Sequence, residues 1–303
     1  MRTGWKERGA EDLMLNVERS TRLADLSGGP VEYRLEQHGP QTVMMLHGGH
    51  MRASLPFGEG VFTDAGFSVL APSRPGYGRT PLGAGPSPEA YADSLAELCH
   101  HLGIERLAAV VGQSASGPTA VTFAAAHPDL VARLVLESAV GFQPWPEKPS
   151  LRIGGPLMFH ARTQRATWGL VHALARHAPN IALRLLLRDL SIHGVDELLA
   201  TFSGDDRESL LAYFTRMNSG AGFAADLHAL RHPAAMPKVT QPTLVIASPD
   251  DAAVPFAQAR SLAEDIPAAR LITSRAPSHY IWFGADYPVI ADAIIDFVGS
   301  TAP

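Results

Sequence analysis

Hydrophobic positions in this chain come in short unbroken runs, each closed by glycine, proline or a polar turn. "VEYRLEQ" (31–37) alternates weakly and "QTVMMLHGG" (41–49) is an apolar run ending in glycines. The "HGP" between them is a turn signal, so two strands are predicted here. "FSVLAP" (67–72) is a further short strand, stopped by Pro72. The period then changes. "SPEAYADSLAELCHHLG" (87–103) spaces its apolar residues as a helix does, with Ser87 as N-cap, Pro88 at the first helical position and Gly103 at the end. "RLAAVVG" (106–112) predicts a strand, "PTAVTFAAAHP" (118–128) a short helix closed by Pro128, and "VARLVLES" (131–138) another strand.

Strands alternating with helices imply parallel pairing through right-handed crossovers. Strands of that kind are buried on both faces, which accounts for their unbroken apolar character. From about Gly141 the rhythm is lost: residues 156–190 and 205–233 read as helices with no strand between them. It returns with "PTLVIASPDD" (242–251), "ARLITSRAPSH" (269–279) and a last helix near "PVIADAIIDFVG". The pattern predicts an α/β fold with a mostly parallel central sheet flanked by helices, its core formed by 1–141 and 237–303. Residues 142–236 form a helical insertion. Two independent domains fit less well, because the final strands would lack a sheet to join. The first dozen residues read as an arm or a short helix.

Composition narrows the function classes. A chain of 303 residues that is 46% hydrophobic and 18% charged can bury a sizeable core. Its formal charge of −5 supplies no basic footprint for nucleic acid. Cys99 is the single cysteine, so neither an intramolecular disulfide nor a cysteine-based metal site can form. The 13 histidines do not fall at metal-ligand spacing, and His100 and His101 are adjacent, pointing different ways on a helix. No metal and no cofactor is expected. The opening "MRTGWKERGAEDL" lacks a signal peptide's apolar centre, and no apolar run reaches about 18 residues. The expectation is a cytoplasmic protein without a membrane span, acting on a small molecule; the pattern does not indicate an oligomeric state.

One loop carries chemistry. In "VVGQSASGPTA" (110–120) an apolar run meets a glycine, a serine, a small residue, a second serine and another glycine. A nucleophile elbow turns a strand sharply into a helix with the nucleophile at the apex, and tight backbone packing demands small residues two before and two after it. Gly112 meets the first demand for Ser114; Ser116 stands where the second glycine is usual. Ser116 reads as a tolerated small residue rather than a second nucleophile. Turns rich in glycine and serine are common between strand and helix, so this loop alone leaves catalysis open.

Further stretches add to it, and with them the sequence resembles the α/β-hydrolase family. "LHGG" (46–49) follows an early strand as the family's oxyanion loop does. "GQSASGP" resembles the elbow, "SPDDAAVP" the acid loop with Asp251 four residues before a proline, and "APSHYIWFG" the loop of the catalytic histidine, here His279. "PSRPGYGRTP" (72–81) is similar to the P-G-x-G loop, with Ser73 where many members carry Asp. The resemblance spans about residues 30–299, in the family's order Ser, Asp, His. The insertion matches the family's cap only in position and helical character.

What the resemblance implies is a serine hydrolase of carboxylic esters or related acyl bonds (thioester, lactone) of a small, largely apolar substrate. Ser114 is then the nucleophile, His279 its base and Asp251 the partner of the imidazole. The backbone N–H groups of Ala115 and Gly49 form the oxyanion hole. Asp250, next to Asp251, points elsewhere; Glu137 matches a position where some members carry the acid instead. His50, beside the oxyanion loop, is a candidate for substrate contact, whereas His47, His127, Arg74 and Tyr77 are expected to brace structure. "RIGGP" (152–156) and "NSGAGF" (218–223) are candidate hinges of the cap. Ten apolar cap residues, Trp145, Leu157, Met158, Phe159, Trp168, Phe202, Tyr213, Phe214, Met217 and Phe223, are expected mainly to form the cap's own core. Two other readings stand: a carbon–carbon bond hydrolase with the same triad, and a small-molecule receptor of the same fold with little turnover.

Overall fold

The computed structural model describes residues 18–160 and 162–300; the expected N-terminal arm lies outside them. Eight strands form one sheet: β1 (Arg22–Leu26), β2 (Gly29–Glu36), β3 (Thr42–Leu46), β4 (Ser68–Pro72), β5 (Leu107–Gln113), β6 (Leu134–Glu137), β7 (Thr243–Ala247) and β8 (Ala269–Thr273). Their spatial order is β1-β2-β4-β3-β5-β6-β7-β8. The β1–β2 and β2–β4 pairings are antiparallel and all the others parallel. The fold is the expected α/β-hydrolase fold, a mostly parallel sheet flanked by helices.

Side chains alternate across a strand, and here the alternation divides the core in two. Met44, Leu46, Leu70 and Val110 face one side, packed against α2 (Pro88–His101), α3 (Gly117–Ala126) and α10 (Phe256–Asp265). Val43, Met45, Val69 and Val111 face the other, against α1 (Gly60–Asp64) and α11 (Tyr287–Gly299). Every residue of β3, β4 and β7 is buried, as expected for strands covered on both faces. Helix α2 starts as its sequence indicates: the Ser87 side chain accepts from Ala90 N–H at 3.2 Å and Pro88 occupies the first turn. Two elements were not expected from the pattern, the edge strand β1 and the five-residue α1.

Between β6 and β7 the chain forms α4 (Pro149–Met158), α5 (Gln164–His177), α6 (Pro179–Leu187), α7 (Val195–Thr201), α8 (Gly204–Phe214) and α9 (Gly222–Ala229). Trp168, Leu183, Leu187, Leu198, Leu210 and Phe214 make their own core, joined by Met51 and Leu55 from the loop after β3.

Neither stretch expected to hinge is built as one. Residues 152–156 lie inside α4, where Gly155 packs on Leu227. Residues 218–223 are pinned to the loop after β4: the N–H groups of Ala221 and Gly222 both donate to Gly76 O at 3.0 Å. A Cβ on Gly222 would stand 2.2 Å from the Tyr77 ring, so this glycine permits close approach.

Candidate active site

The chain leaves β5 at Gln113 and turns into α3 through a single 3-10 turn, Ser114–Ser116. Ser114 takes φ +51, a backbone region costing roughly 1–2 kcal/mol for a residue with a Cβ. That turn requires close backbones. A Cβ on Gly112 would lie 2.6 Å from Ala120 Cβ, and one on Gly117 would lie 2.0 Å from Val140 O. Ser116 is fully buried: its Oγ accepts from Gln113 N–H at 2.8 Å and donates to Leu46 O at 2.7 Å. It ties the elbow to β3 and is out of reach of any ligand.

Ser114 Oγ lies 3.1 Å from His279 Nε2, and His279 Nδ1 lies 2.6 Å from Asp251 Oδ2. The Asp251 side chain is completely buried, and its Oδ1 accepts from the N–H groups of Ala253 and Val254 at 2.8 Å each. This network sets the tautomer: Nδ1–H donates to the carboxylate, and the Nε2 lone pair accepts from Ser114 Oγ–H. Asp250 turns away, its Oδ2 3.0 Å from His193 Nε2. The loop after α6 braces both sides, since Leu190 O accepts from His279 N–H at 2.8 Å and Ala252 N–H at 3.4 Å.

Glu137, the alternative acid, does not reach His279. Its Oε2 accepts from Gln113 Nε2 at 3.0 Å and Trp282 Nε1 at 3.3 Å, behind the wall of the site. Fully buried, with no cation beside it, its carboxyl is pushed up to about 7, the two hydrogen bonds only partly opposing burial.

The HGG loop is fixed from below. His47 Nδ1–H donates to Gly48 O at 2.7 Å and Nε2 accepts from Arg74 N–H at 3.0 Å. Burial, then the nearby Arg74 charge, holds His47 neutral. The C=O and N–H of one peptide plane point opposite ways. With Gly48 O turned to His47, the Gly49 N–H is therefore directed away from it, and it donates to no described residue. Arg74 also donates bidentately to Asp226 of α9 at 2.8 Å per bond, and Tyr77 OH joins at 2.6 Å. Burial pulls the Arg74 charge down, but the Asp226 carboxylate outweighs it and raises its pKa. Arg74 and Tyr77 thus brace, as expected; Asp226 was missed, though a lone acid in the apolar helix "GFAADLHAL" was a signal for it.

Above Ser114 lies a cavity of about 410 Å³ lined by Gly48, Gly49, His50, Gln113, His279 and many apolar side chains. Seven of the ten apolar residues expected to be mainly internal core line it: Trp145, Met158, Phe159, Trp168, Phe214, Met217 and Phe223. Leu157, another of the ten, is exposed. The charged lining groups Glu147, Lys148, Arg188 and Asp189 sit at the rim, with Asp189 paired to both cations. Among the described residues no group of three or more His, Cys, Asp or Glu side chains could hold a metal ion, and no helix is long and apolar enough to cross a membrane.

The alpha/beta hydrolase fold family matches residues 41–285, and the chain belongs to it, as a hydrolase of that fold. Among curated relatives, the uncharacterized hydrolase YcgS of Bacillus subtilis is 27% identical over 94% of this chain and 100% of its own. A 2-hydroxy-6-oxononadienedioate/2-hydroxy-6-oxononatrienedioate hydrolase of a Pseudomonas species is 27% identical over 88% and 93%. A pimeloyl-[acyl-carrier protein] methyl ester esterase of Aromatoleum aromaticum is 30% identical over 76% and 87%. Of solved structures, an alpha/beta hydrolase fold protein from Nakamurella multipartita superposes with TM-score 0.77 at 23% identity, covering 93% of this chain and 100% of that one. The enol-lactonase of Burkholderia xenovorans LB400 gives 0.67 at 22%, covering 92% and 100%.

Proposed function

We propose that the protein is a serine hydrolase that cleaves a carboxylic ester or related acyl bond of a small, largely apolar substrate. The observation carrying this reading is the relay Ser114 Oγ, His279 Nε2, His279 Nδ1, Asp251 Oδ2, spaced 3.1 and 2.6 Å, at the base of an apolar cavity.

The chemistry follows from the geometry. Ser114 Oγ attacks the carbonyl carbon while His279 Nε2 takes its proton. Asp251 stabilises the imidazolium and holds the ring in register. The carbonyl oxygen gains charge and is met by the N–H groups of Gly49 and Ala115; one such donor is worth about 10²–10³ in rate. The proton on Nε2 passes to the leaving alkoxide, giving an acyl-serine. Water then repeats the sequence with His279 as base and frees the acid. Residues 142–236 act as a cap that closes the acyl site from solvent.

A neutral substrate suits this cavity. A dioate, as named for the Pseudomonas relative's substrate, brings two carboxylates, and buried charge must be paired. Here the lining cations are exposed and already shared with Asp189. The ester named for the Aromatoleum relative and the lactone chemistry named for the Burkholderia neighbour are closer in kind. The test is fluorophosphonate labelling followed by a panel of esters, thioesters and lactones. Turnover and labelling that both vanish in Ser114→Ala support the reading. Saturable binding with no turnover would instead place the protein among receptors of this fold.

A further inference from the structure

His50 faces the cavity and takes no part in the steps above. It sits at φ +66, in the left-handed region, one residue after Gly49. Its backbone is held there: Asn218 N–H donates to His50 O at 3.0 Å. The ring is held as firmly, with centroids 3.9 Å from Phe223, 4.7 Å from Phe159 and 5.1 Å from Trp168. A strained residue that its surroundings over-determine, beside a reaction centre, points to function.

The hydrogen bonds set its tautomer. Trp168 Nε1–H donates to Ser219 Oγ at 2.9 Å, and Ser219 Oγ lies 2.7 Å from His50 Nδ1. Ser219 is fully buried, so its own proton needs an acceptor, and His50 Nδ1 is the one within reach. Nδ1 is therefore unprotonated and Nε2 carries the N–H. That N–H makes no hydrogen bond to any described residue. Burial, then the Arg74 charge, pushes the imidazole down to about 3, so it remains a neutral donor at any working pH.

A fixed donor that faces the cavity and is met by no described protein group is open to solvent or to a ligand oxygen. The two backbone donors already serve the carbonyl oxygen in the proposed reaction. His50 follows Gly49 directly and lines the same cavity as Ser114, so its donor is left for a different atom of the ligand. We propose that His50 is a specificity-determining residue whose Nε2–H binds an oxygen on the carbon beside the scissile carbonyl. On the serine-hydrolase reading, the favoured substrates are esters of 2-alkoxy or 2-hydroxy acids. A site built to hydrogen-bond an oxygen rejects the analogue that lacks it.

The probes are p-nitrophenyl methoxyacetate and its carbon isostere, p-nitrophenyl butanoate, with kcat/KM divided by each ester's hydroxide-catalysed rate. The normalised ratio favours methoxyacetate in the wild type. It falls about tenfold in His50→Ala, the worth of a neutral hydrogen bond, and recovers in part in His50→Asn, which tolerates the backbone and restores an N–H. Fluorophosphonate labelling verifies that each variant is folded. Where His50→Ala does not label, Ser219→Ala decides, because releasing Nδ1 must lower the same ratio. An unchanged ratio overturns the proposal. So does an equal loss on both esters, which would put the donor on the scissile oxygen. Calorimetric titration of both esters into Ser114→Ala, with and without His50→Ala, reads the preference without turnover. If the wild type does not turn over but this preference exists and depends on His50, the hydrolase reading fails and the His50 assignment stands. If no preference appears, the assignment falls.

Discussion

Ser116 stands two residues past Ser114, where a glycine is usual, and its hydroxyl is used inside the protein. It satisfies a buried N–H of Gln113 and a carbonyl of β3. Ser116→Ala should therefore retain Ser114 labelling while lowering unfolding free energy by about 1–3 kcal/mol, since both groups lose their partner. Urea unfolding and labelling read the two effects separately; lost labelling in a stable protein would refute this. For the acid, Asp251→Asn should cut kcat by about 10⁴ by leaving His279 in the wrong tautomer, whereas Glu137→Gln should be mild. Glu137 shows itself in stability instead. Its carboxyl titrates near 7 when folded against an ordinary 4.5, so the folded state holds a proton that the unfolded chain releases between those values. The stability it contributes is complete below about pH 4.5, falls as pH rises, and is lost above about 7, on the order of 3 kcal/mol in all. Urea midpoints from pH 4.5 to 8 should show that fall, and Glu137→Gln should flatten it. That Ser114, Asp251 and His279 meet was readable because each sits in a short local motif. The roles of Ser116, Glu137 and Asp226 were not readable, because each depends on partners far away in sequence.

At the level of elements, periodicity revealed the long ones and missed the short. Strand β1 is a five-residue edge with Arg22, Leu23 and Asp25 exposed, so its alternation is broken, and α1 has five residues, too few to show a helical period. The Ser27–Gly28 pair between β1 and β2 did signal a hairpin: Leu26 pairs with Gly29 across this two-residue loop. The glycines at 218–223 misled for a physical reason. Glycine serves close approach as well as mobility, and sequence alone does not separate the two. That approach docks α9 on the loop after β4, where the Arg74–Asp226 pair closes the contact. Arg74 is 4% exposed and Asp226 16%, so removing one partner strands a charge in a dry place. Asp226→Ala should lower stability by about 3–5 kcal/mol, and the double variant Arg74→Met, Asp226→Leu should recover most of it. A destabilisation below about 1 kcal/mol in chemical denaturation would mean that water reaches Arg74 after all.

Across the whole molecule, chemistry and selection fall on different parts under the proposed serine-hydrolase reading. Ser114, Asp251 and His279 stand on loops at the ends of β5, β7 and β8, held by a sheet buried on both faces. Much of the cavity's apolar wall comes from the inserted helices, packed on a separate core. The run of helices between β6 and β7 was legible in outline from the loss of β/α rhythm at about Gly141. The wall itself was not, because one apolar pattern serves a helix's own core and a ligand's surroundings alike. Val171 of α5 and Leu186 of α6 line the cavity from the inserted helices. Val171→Trp should fill space there, shift preference toward shorter acyl chains and cut kcat/KM for p-nitrophenyl octanoate at least tenfold. It should leave acetate turnover within about twofold, because a two-carbon acyl group needs only the floor of the site. A small fluorophosphonate, which reads Ser114 and His279 alone, should label the variant at the wild-type rate. If acetate, octanoate and phosphonate all slow by the same factor, the helices govern the catalytic centre itself, and selection does not reside in the insertion.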